Sequence, residues 1–312
     1  MRIALVLTPM SDVNLRLASQ VGADDAVVRY PGLDYDELAE LRDRVERFGL
    51  RLSVVEGYVP MDRIKTGRPG RDDEIRGVQT LIRNMGRAGV AILCYNFMAG
   101  TDWSRTSFAI PDRGDALVSG FDVELADQLP IEDVGAIADE QMWDHLAYFL
   151  ERVIPVAEQA GVKLALHPDD PPISPLRGVT RILCDVPAFE RLVALVPSPA
   201  NGICFCQGCF LEMGVDLPGT IHRLADHIHY VHFRDVRGTG ERFQETFHDN
   251  GPTDMFEAMR TYHEIGFTGP MRPDHVPQLE GESSGEPGYT ILGRLWAVGY
   301  MRGLIDAVQA TS

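Results

Sequence analysis

Lys163-Leu164-Ala165-Leu166-His167 is a short apolar run that ends in a polar side chain. After a helical stretch at 186–196, Gly202-Ile203-Cys204-Phe205-Cys206 repeats the pattern. Tyr230-Val231-His232-Phe233-Arg234 repeats it again, and Met271-Arg272-Pro273-Asp274 ends the series. Such runs, with large apolar residues at alternate positions, read as strands, and the stretches between them have helical apolar spacing. Further strands are read at 2–7, 25–29, 51–56 and 90–95. Further helices are read at 12–21, 34–48, 72–88, 133–159, 220–227, 254–265 and 289–308, with Gly89 as a C-terminal cap. Eight strand-then-helix units in one series predict a closed (β/α)8 TIM barrel, an α/β fold. An open doubly wound sheet is the alternative, but its first strand would lead into a Gly-rich loop. This chain has Thr8-Pro9-Met10-Ser11 there. One barrel domain over 1–312 is expected, with long active-site loops near 57–71 and 97–132 at the C-terminal ends of strands.

The 312 residues include 29 basic and 46 acidic side chains, a formal charge of −17. An acidic surface of that size repels phosphate backbones and anionic lipid, so no nucleic-acid and no membrane partner is expected. No apolar run approaches the roughly 20 residues of a bilayer span, and the N-terminus has no cleavage-site pattern. Five cysteines, an odd number, do not make a disulfide framework. The expectation is a cytoplasmic homo-oligomer acting on a small molecule.

Strand parity then selects the chemistry. Leu164, Leu166, Ile203, Phe205, Val231 and Phe233 suit the helix-facing side, so the alternation sends His167, Cys206 and His232 into the barrel mouth. Asp274 is placed there by analogy. His, Cys, His and Asp on adjacent strands form a credible divalent metal site, open to Mn²⁺, Fe²⁺, Co²⁺ or Zn²⁺. The alternative for each residue alone is a buried polar group bonded to backbone, which four equivalent positions together disfavour. A zinc-knuckle reading of Cys204–Cys209 lacks a second cysteine pair, since Cys94 and Cys184 are isolated; Cys204 is expected in the core and Cys209 in a loop.

Arg105, Arg234, Arg272 and Arg294 lie near strand ends, and Lys65 lies in the first long loop. Cations around a metal in so acidic a chain point to an anionic substrate, the alternative being pairs with Asp235, Asp169 or Glu56 that hold loops. In His167-Pro168-Asp169-Asp170-Pro171-Pro172 an acidic group is placed to orient the ligand histidine. His145, His222, His227 and His229 read as structural; His248 and His275 in mouth loops, and Tyr289, stay available for chemistry.

These residues also carry a family likeness. Cys94-Tyr95-Asn96-Phe97-Met98 and Asp102-Trp103-Ser104-Arg105-Thr106 resemble the mannonate dehydratase pattern CYNFMP…DWTRT. His167–Pro172, His232-Phe233-Arg234, His248-Asp249-Asn250-Gly251, Met271-Arg272-Pro273-Asp274-His275 and Pro287-Gly288-Tyr289 fit in order, and the likeness spans 52–303. The resemblance implies a xylose-isomerase-like barrel that uses Mn²⁺ or a similar ion to remove water from D-mannonate, giving 2-keto-3-deoxygluconate. It implies metal ligation by His167, Cys206, His232 and Asp274. Arg272, His275 and Tyr289 match its catalytic region; Arg105 joins them for charge stabilisation. Asn96, Trp103, Lys65, Arg234, His248 and Arg294 are the expected substrate contacts. The chain departs from the family at Ala99-Gly100-Thr101, where Pro-Val-Phe is usual, and at Cys206-Gln207-Gly208-Cys209, where Cys-Thr-Gly-Ser is usual. Two rival readings are a sugar isomerase or epimerase using Glu56 and Asp274 as bridging carboxylates, and a non-catalytic sugar-acid binder.

Overall fold

The computed structural model describes residues 1–131, 134–282 and 288–311. Asp133, where one helix was expected to begin, and Pro287 of the Pro-Gly-Tyr motif lie outside the described residues.

All eight expected barrel strands form. They are β1 (Arg2–Val6), β2 (Asp25–Val28), β3 (Arg51–Glu56), β4 (Ile92–Tyr95), β7 (Lys163–Leu166), β8 (Asn201–Cys206), β9 (Ile228–Phe233) and β12 (Pro270–Pro273). They pair in parallel and close in the order β1-β12-β9-β8-β7-β4-β3-β2. The alternation works as read. Leu164, Leu166, Ile203, Phe205, Val231 and Phe233 are fully buried under the helices, each worth roughly 1.5–3 kcal/mol in water-excluded area. Ala4, Val6, Val27, Val54, Ile92, Cys94, Ala165, Cys204 and Tyr230 fill the barrel interior as a separate cluster. Among the described residues no helix is long and apolar enough to cross a membrane.

Two expected loops carry more structure than their composition announced. The first contains a short helix, Asp62–Thr66. The second contains β5 (Ser107–Pro111) and β6 (Leu117–Asp122). These join β10 (Val236–Thr239) and β11 (Arg242–Glu245) in a four-stranded antiparallel sheet of order β10-β11-β6-β5. Its small core of Phe121, Val236 and Phe243 draws on segments more than 100 residues apart in sequence, so neither segment shows the partner that makes it a strand. A helix at Gln207–Glu212 also went unread, because six residues are too few to show a period. Cys209 is therefore helical, not a loop thiol.

Candidate metal centre

Register builds the centre. Cys206 is opposite His232 in the β8–β9 pair, and His232 is opposite Arg272 in the β9–β12 pair. His167 follows β7 directly and Asp274 follows β12. One donor atom from each of His167, Cys206, His232 and Asp274 lies within 4.8 Å of all the others. Cys206, His232 and Asp274 are buried, and His167 is half-buried.

The two rings are held ready for a cation. His167 Nδ1 donates to the Pro168 carbonyl at 2.7 Å, and His232 Nε2 donates to Glu56 Oε2 at 3.2 Å. The other nitrogens, His167 Nε2 and His232 Nδ1, therefore face each other 3.1 Å apart. A carbonyl, rather than the acidic group expected from the sequence, thus orients His167. Burial and the Arg272 charge press the His232 ring toward neutrality, yet Glu56 and Asp274 draw it well above its ordinary value. Arg272 Nη2 stands 3.2 Å from the same His232 Nδ1, and ion binding there requires a neutral ring. Burial would raise the Cys206 thiol, but the Cys209 thiol, the Arg234 guanidinium and His167 hold it well below the usual range, toward the thiolate a metal needs. Two imidazole nitrogens, a thiolate and a carboxylate fit a divalent ion.

Glu56 braces this centre. Its Oε1 accepts from Arg29 at 2.7 Å and from Arg272 at 2.9 Å. Its Oε2 accepts from Arg272 Nε at 2.9 Å, from Tyr230 at 2.9 Å and from His232. Burial works against its charge, but Arg272, His232 and Arg29 keep it ionised, well below the usual carboxylate range. Both oxygens are thus engaged by protein donors, which leaves the isomerase reading without its second metal-bridging carboxylate.

A cavity of about 60 Å³ opens onto the centre. His167, His232, Asp274, Arg272, His275, Tyr289, Asn96 and Trp103 line it. Arg272 Nη1 also donates to Asp274 Oδ1 at 2.5 Å, and the Tyr289 hydroxyl donates to the same oxygen at 2.9 Å. Burial pushes the Tyr289 phenol far above its ordinary value, so it stays protonated. Burial brings His275 down to about 3, so its ring is neutral at pH 7. His275 Nδ1 has no hydrogen-bond partner among the described residues, and the Trp103 ring meets His275 edge-on at 5.1 Å.

Other expected contacts lie elsewhere. Arg105 sits behind the wall, bound twice to Asp170 at 2.6 and 3.1 Å and to Glu245 at 2.7 Å, with Nη2 3.4 Å from His275 Nε2. Arg234 is buried against Glu245, Glu212 and Asp170. His248 is fully buried beside Phe233 and Trp296. Arg294 is spent on backbone carbonyls of Val6, Thr8, Tyr289 and Thr290. Arg105 meets Asp170 and Glu245 from 65 and 140 residues away, and Arg294 meets Val6 from 288, so sequence spacing placed these side chains near the mouth but not behind its wall. Lys65 lines an adjoining lobe and donates to Asn96 Oδ1 at 2.8 Å. Arg29, Tyr58, Asp102 and Asp170 also line the wall, as does Glu56, which the sequence suggested only as a bridging or pairing carboxylate. The strand-parity rule applied to β2 and β3 finds two of them: Val27 and Val54 face inward, so Arg29 and Glu56 do as well.

Comparison with known proteins points to one family. The family described as D-mannonate dehydratase (UxuA) matches residues 12–134 and 124–312. Mannonate dehydratase 2 of Halalkalibacterium halodurans is 36% identical over 306 residues, covering 88% of each chain. Mannonate dehydratase of Streptococcus uberis is 37% identical over 304 residues, covering 88% of this chain and 86% of its own. The crystal structure of mannonate dehydratase from Streptococcus suis serotype2 superposes with TM-score 0.90 at 30% identity, covering 100% of this chain and 94% of that one. An L-ribulose 3-epimerase superposes with TM-score 0.67 at 16% identity, covering 99% of this chain and 96% of its own, which shows the xylose-isomerase-like barrel alone.

Proposed function

This chain belongs to the D-mannonate dehydratase family, and we propose that it is a hydro-lyase converting D-mannonate, or a closely related hexonate, to the 2-keto-3-deoxy acid. The observation that carries this is one cavity in which three of the four donors, His167, His232 and Asp274, meet Arg272, His275 and Tyr289. His167, Cys206, His232 and Asp274 hold a divalent ion, Mn²⁺ in the first instance, with Fe²⁺, Co²⁺ and Zn²⁺ as the other candidates. That ion supplies Lewis acidity to the substrate carboxylate or its neighbouring hydroxyl.

The chain's own residues do the rest. His275, which lines the cavity beside Arg272, takes the C2 proton. Tyr289, held protonated, donates to the C3 hydroxyl as it leaves as water. Arg272 offsets the negative charge that develops on the substrate. Arg105, 3.4 Å from the His275 ring, adds positive charge that helps keep it neutral. Asn96 and Trp103 shape the wall, and Lys65 flanks it from the adjoining lobe. Five free thiols suit a reducing cytoplasm.

The test is incubation of the purified chain, loaded with Mn²⁺, with a panel of hexonates and neutral sugars. The expected result is a 2-keto-3-deoxy acid from D-mannonate or one of its epimers, detected by mass and NMR. Turnover of neutral sugars alone would favour the isomerase reading, and binding without product over long incubation would favour the non-catalytic one.

A further inference from the structure

Cys206 ends β8, and Cys209 lies three residues on, in the first turn of the helix Gln207–Glu212. Their Sγ atoms are 3.4 Å apart, with the Cys209 thiol donating to Cys206. Gly208 between them is required by packing, since a Cβ there would stand 2.0 Å from Arg234 Nε. Glycine thus lets the guanidinium lie over the pair, where Nη2 donates to Cys209 Sγ at 3.4 Å.

We propose that Cys206 and Cys209 are an oxidative modification site: hydrogen peroxide joins them in a disulfide, which withdraws Cys206 from the metal centre and releases the ion. The release rests on Cys206 being a metal donor, as proposed above; the disulfide does not.

A disulfide needs an S–S distance of about 2.05 Å, so the sulfurs have roughly 1.4 Å to close. They close it at a strand-to-helix joint, where side-chain rotation and a small shift of the first helical turn suffice. The other close thiols, Cys94 and Cys204, sit on β4 and β8 with β7 between them, where closure means moving barrel strands. Both Cys206 and Cys209 are shut off from the outer surface. Neither sulfur lines the cavity, but the His167 ring does and offers a nitrogen within 4.8 Å of Cys206 Sγ, so an oxidant reaching the pair from the cavity passes that ring. Peroxide is small enough for that route, and glutathione disulfide is not.

The chemistry balances. The Cys206 thiolate attacks one peroxide oxygen; the S–O bond forms, the O–O bond breaks, and the departing hydroxide takes the Cys209 proton to become water. The Cys209 thiolate then attacks the Cys206 sulfenic acid; the S–S bond forms, the S–O bond breaks, and hydroxide leaves. Each sulfur loses one electron, and peroxide gains two.

The test treats the full chain, Mn²⁺-loaded or stripped, with hydrogen peroxide, followed by alkylation and metal analysis. Chymotryptic cleavage after Phe205 and Phe210 isolates both thiols in one short peptide, away from Cys204. The expected product is that peptide two mass units lighter and closed to alkylation, formed faster in stripped protein. Loaded protein loses its metal in step with the modification and regains it after dithiothreitol and Mn²⁺. Cys209→Ser should keep its metal before oxidation and form no disulfide. Its Cys206 should proceed to sulfinic acid, which dithiothreitol does not reverse. Sulfinic acid at Cys206 in the wild type, or a link between Cys94 and Cys204 instead, overturns the proposal. A Cys206–Cys209 disulfide with metal content unchanged overturns the release and removes Cys206 from the donor set, while the modification site stands.

Discussion

Arg272 and Glu56 are joined by two parallel hydrogen bonds, Nε to Oε2 and Nη2 to Oε1, each 2.9 Å long, with both side chains buried. Because Glu56 also accepts from His232 Nε2, this pair transmits the position of one barrel wall to the metal centre. Glu56→Gln should therefore weaken divalent-ion affinity by about 10- to 100-fold, the usual effect of losing the carboxylate behind a ligating histidine. Breaking the buried pair should also cost about 3–5 kcal/mol of stability. Metal titration and denaturant unfolding of the variant would measure both, and unchanged affinity would remove Glu56 from the support of the centre.

Arg272→Met keeps much of the length but removes the fork. A loss of about 10²-fold or more in kcat/KM for the sugar acid is expected, the size seen when one preorganised electrostatic donor goes. Metal content should be retained, because removing a cation beside Asp274 does not penalise another cation there. Lys should restore only part of the rate, since a point charge cannot bridge Glu56 and Asp274 bidentately. Wild-type kinetics in Arg272→Met would mean that the residue only neutralises its two carboxylates.

His167→Ala and Cys206→Ala should each lower bound metal strongly while circular dichroism still reports a folded barrel. The donors stand at strand ends above the interior cluster rather than within it, so the cavity cost is small. Chelation should abolish turnover, and added Mn²⁺ should restore it. Full metal occupancy in both variants would dismantle the four-donor assignment.

Arg294→Met tests a correction. Its guanidinium ties the carbonyls of Val6, Thr8 and Tyr289 to the last helix, and leaving buried acceptors unsatisfied costs about 1–3 kcal/mol each. The variant should melt lower while KM for the sugar acid stays within about threefold of wild type. A large rise in KM at unchanged stability would return Arg294 to the substrate.

Acid should weaken the fold through two buried rings outside the metal centre. Burial lowers both His229 and His248 to about 4, against roughly 6.5 in the unfolded chain. Between those values the unfolded state binds more protons, so stability is full above about pH 6.5 and falls as pH drops toward 4. Each ring accounts for up to about 3 kcal/mol over that window. Denaturant midpoints at successive pH values should show the slope, and His229→Gln should flatten it.

The barrel was legible because each strand announces itself locally. Large apolar residues at one parity and smaller or polar ones at the other mark the two faces of a strand within five or six residues. That same parity delivered His167, Cys206 and His232 to one end of the barrel, and it would have delivered Arg29 and Glu56 had it been applied to the second and third strands. The four-stranded sheet was not legible, since β6 acquires its partner β11 from a segment that follows the seventh barrel strand. Nor were the positions of Arg105 and Arg234, whose burial depends on Asp170 arriving from the segment after β7 and Glu245 from β11. The sequence by itself determined the barrel and which residue types stand at its mouth, because a period of two is a property of one segment. Only the tertiary structure decided which cations face the cavity and which are consumed by carboxylates, because Arg272 and Glu56 are 216 residues apart and meet only when the barrel closes.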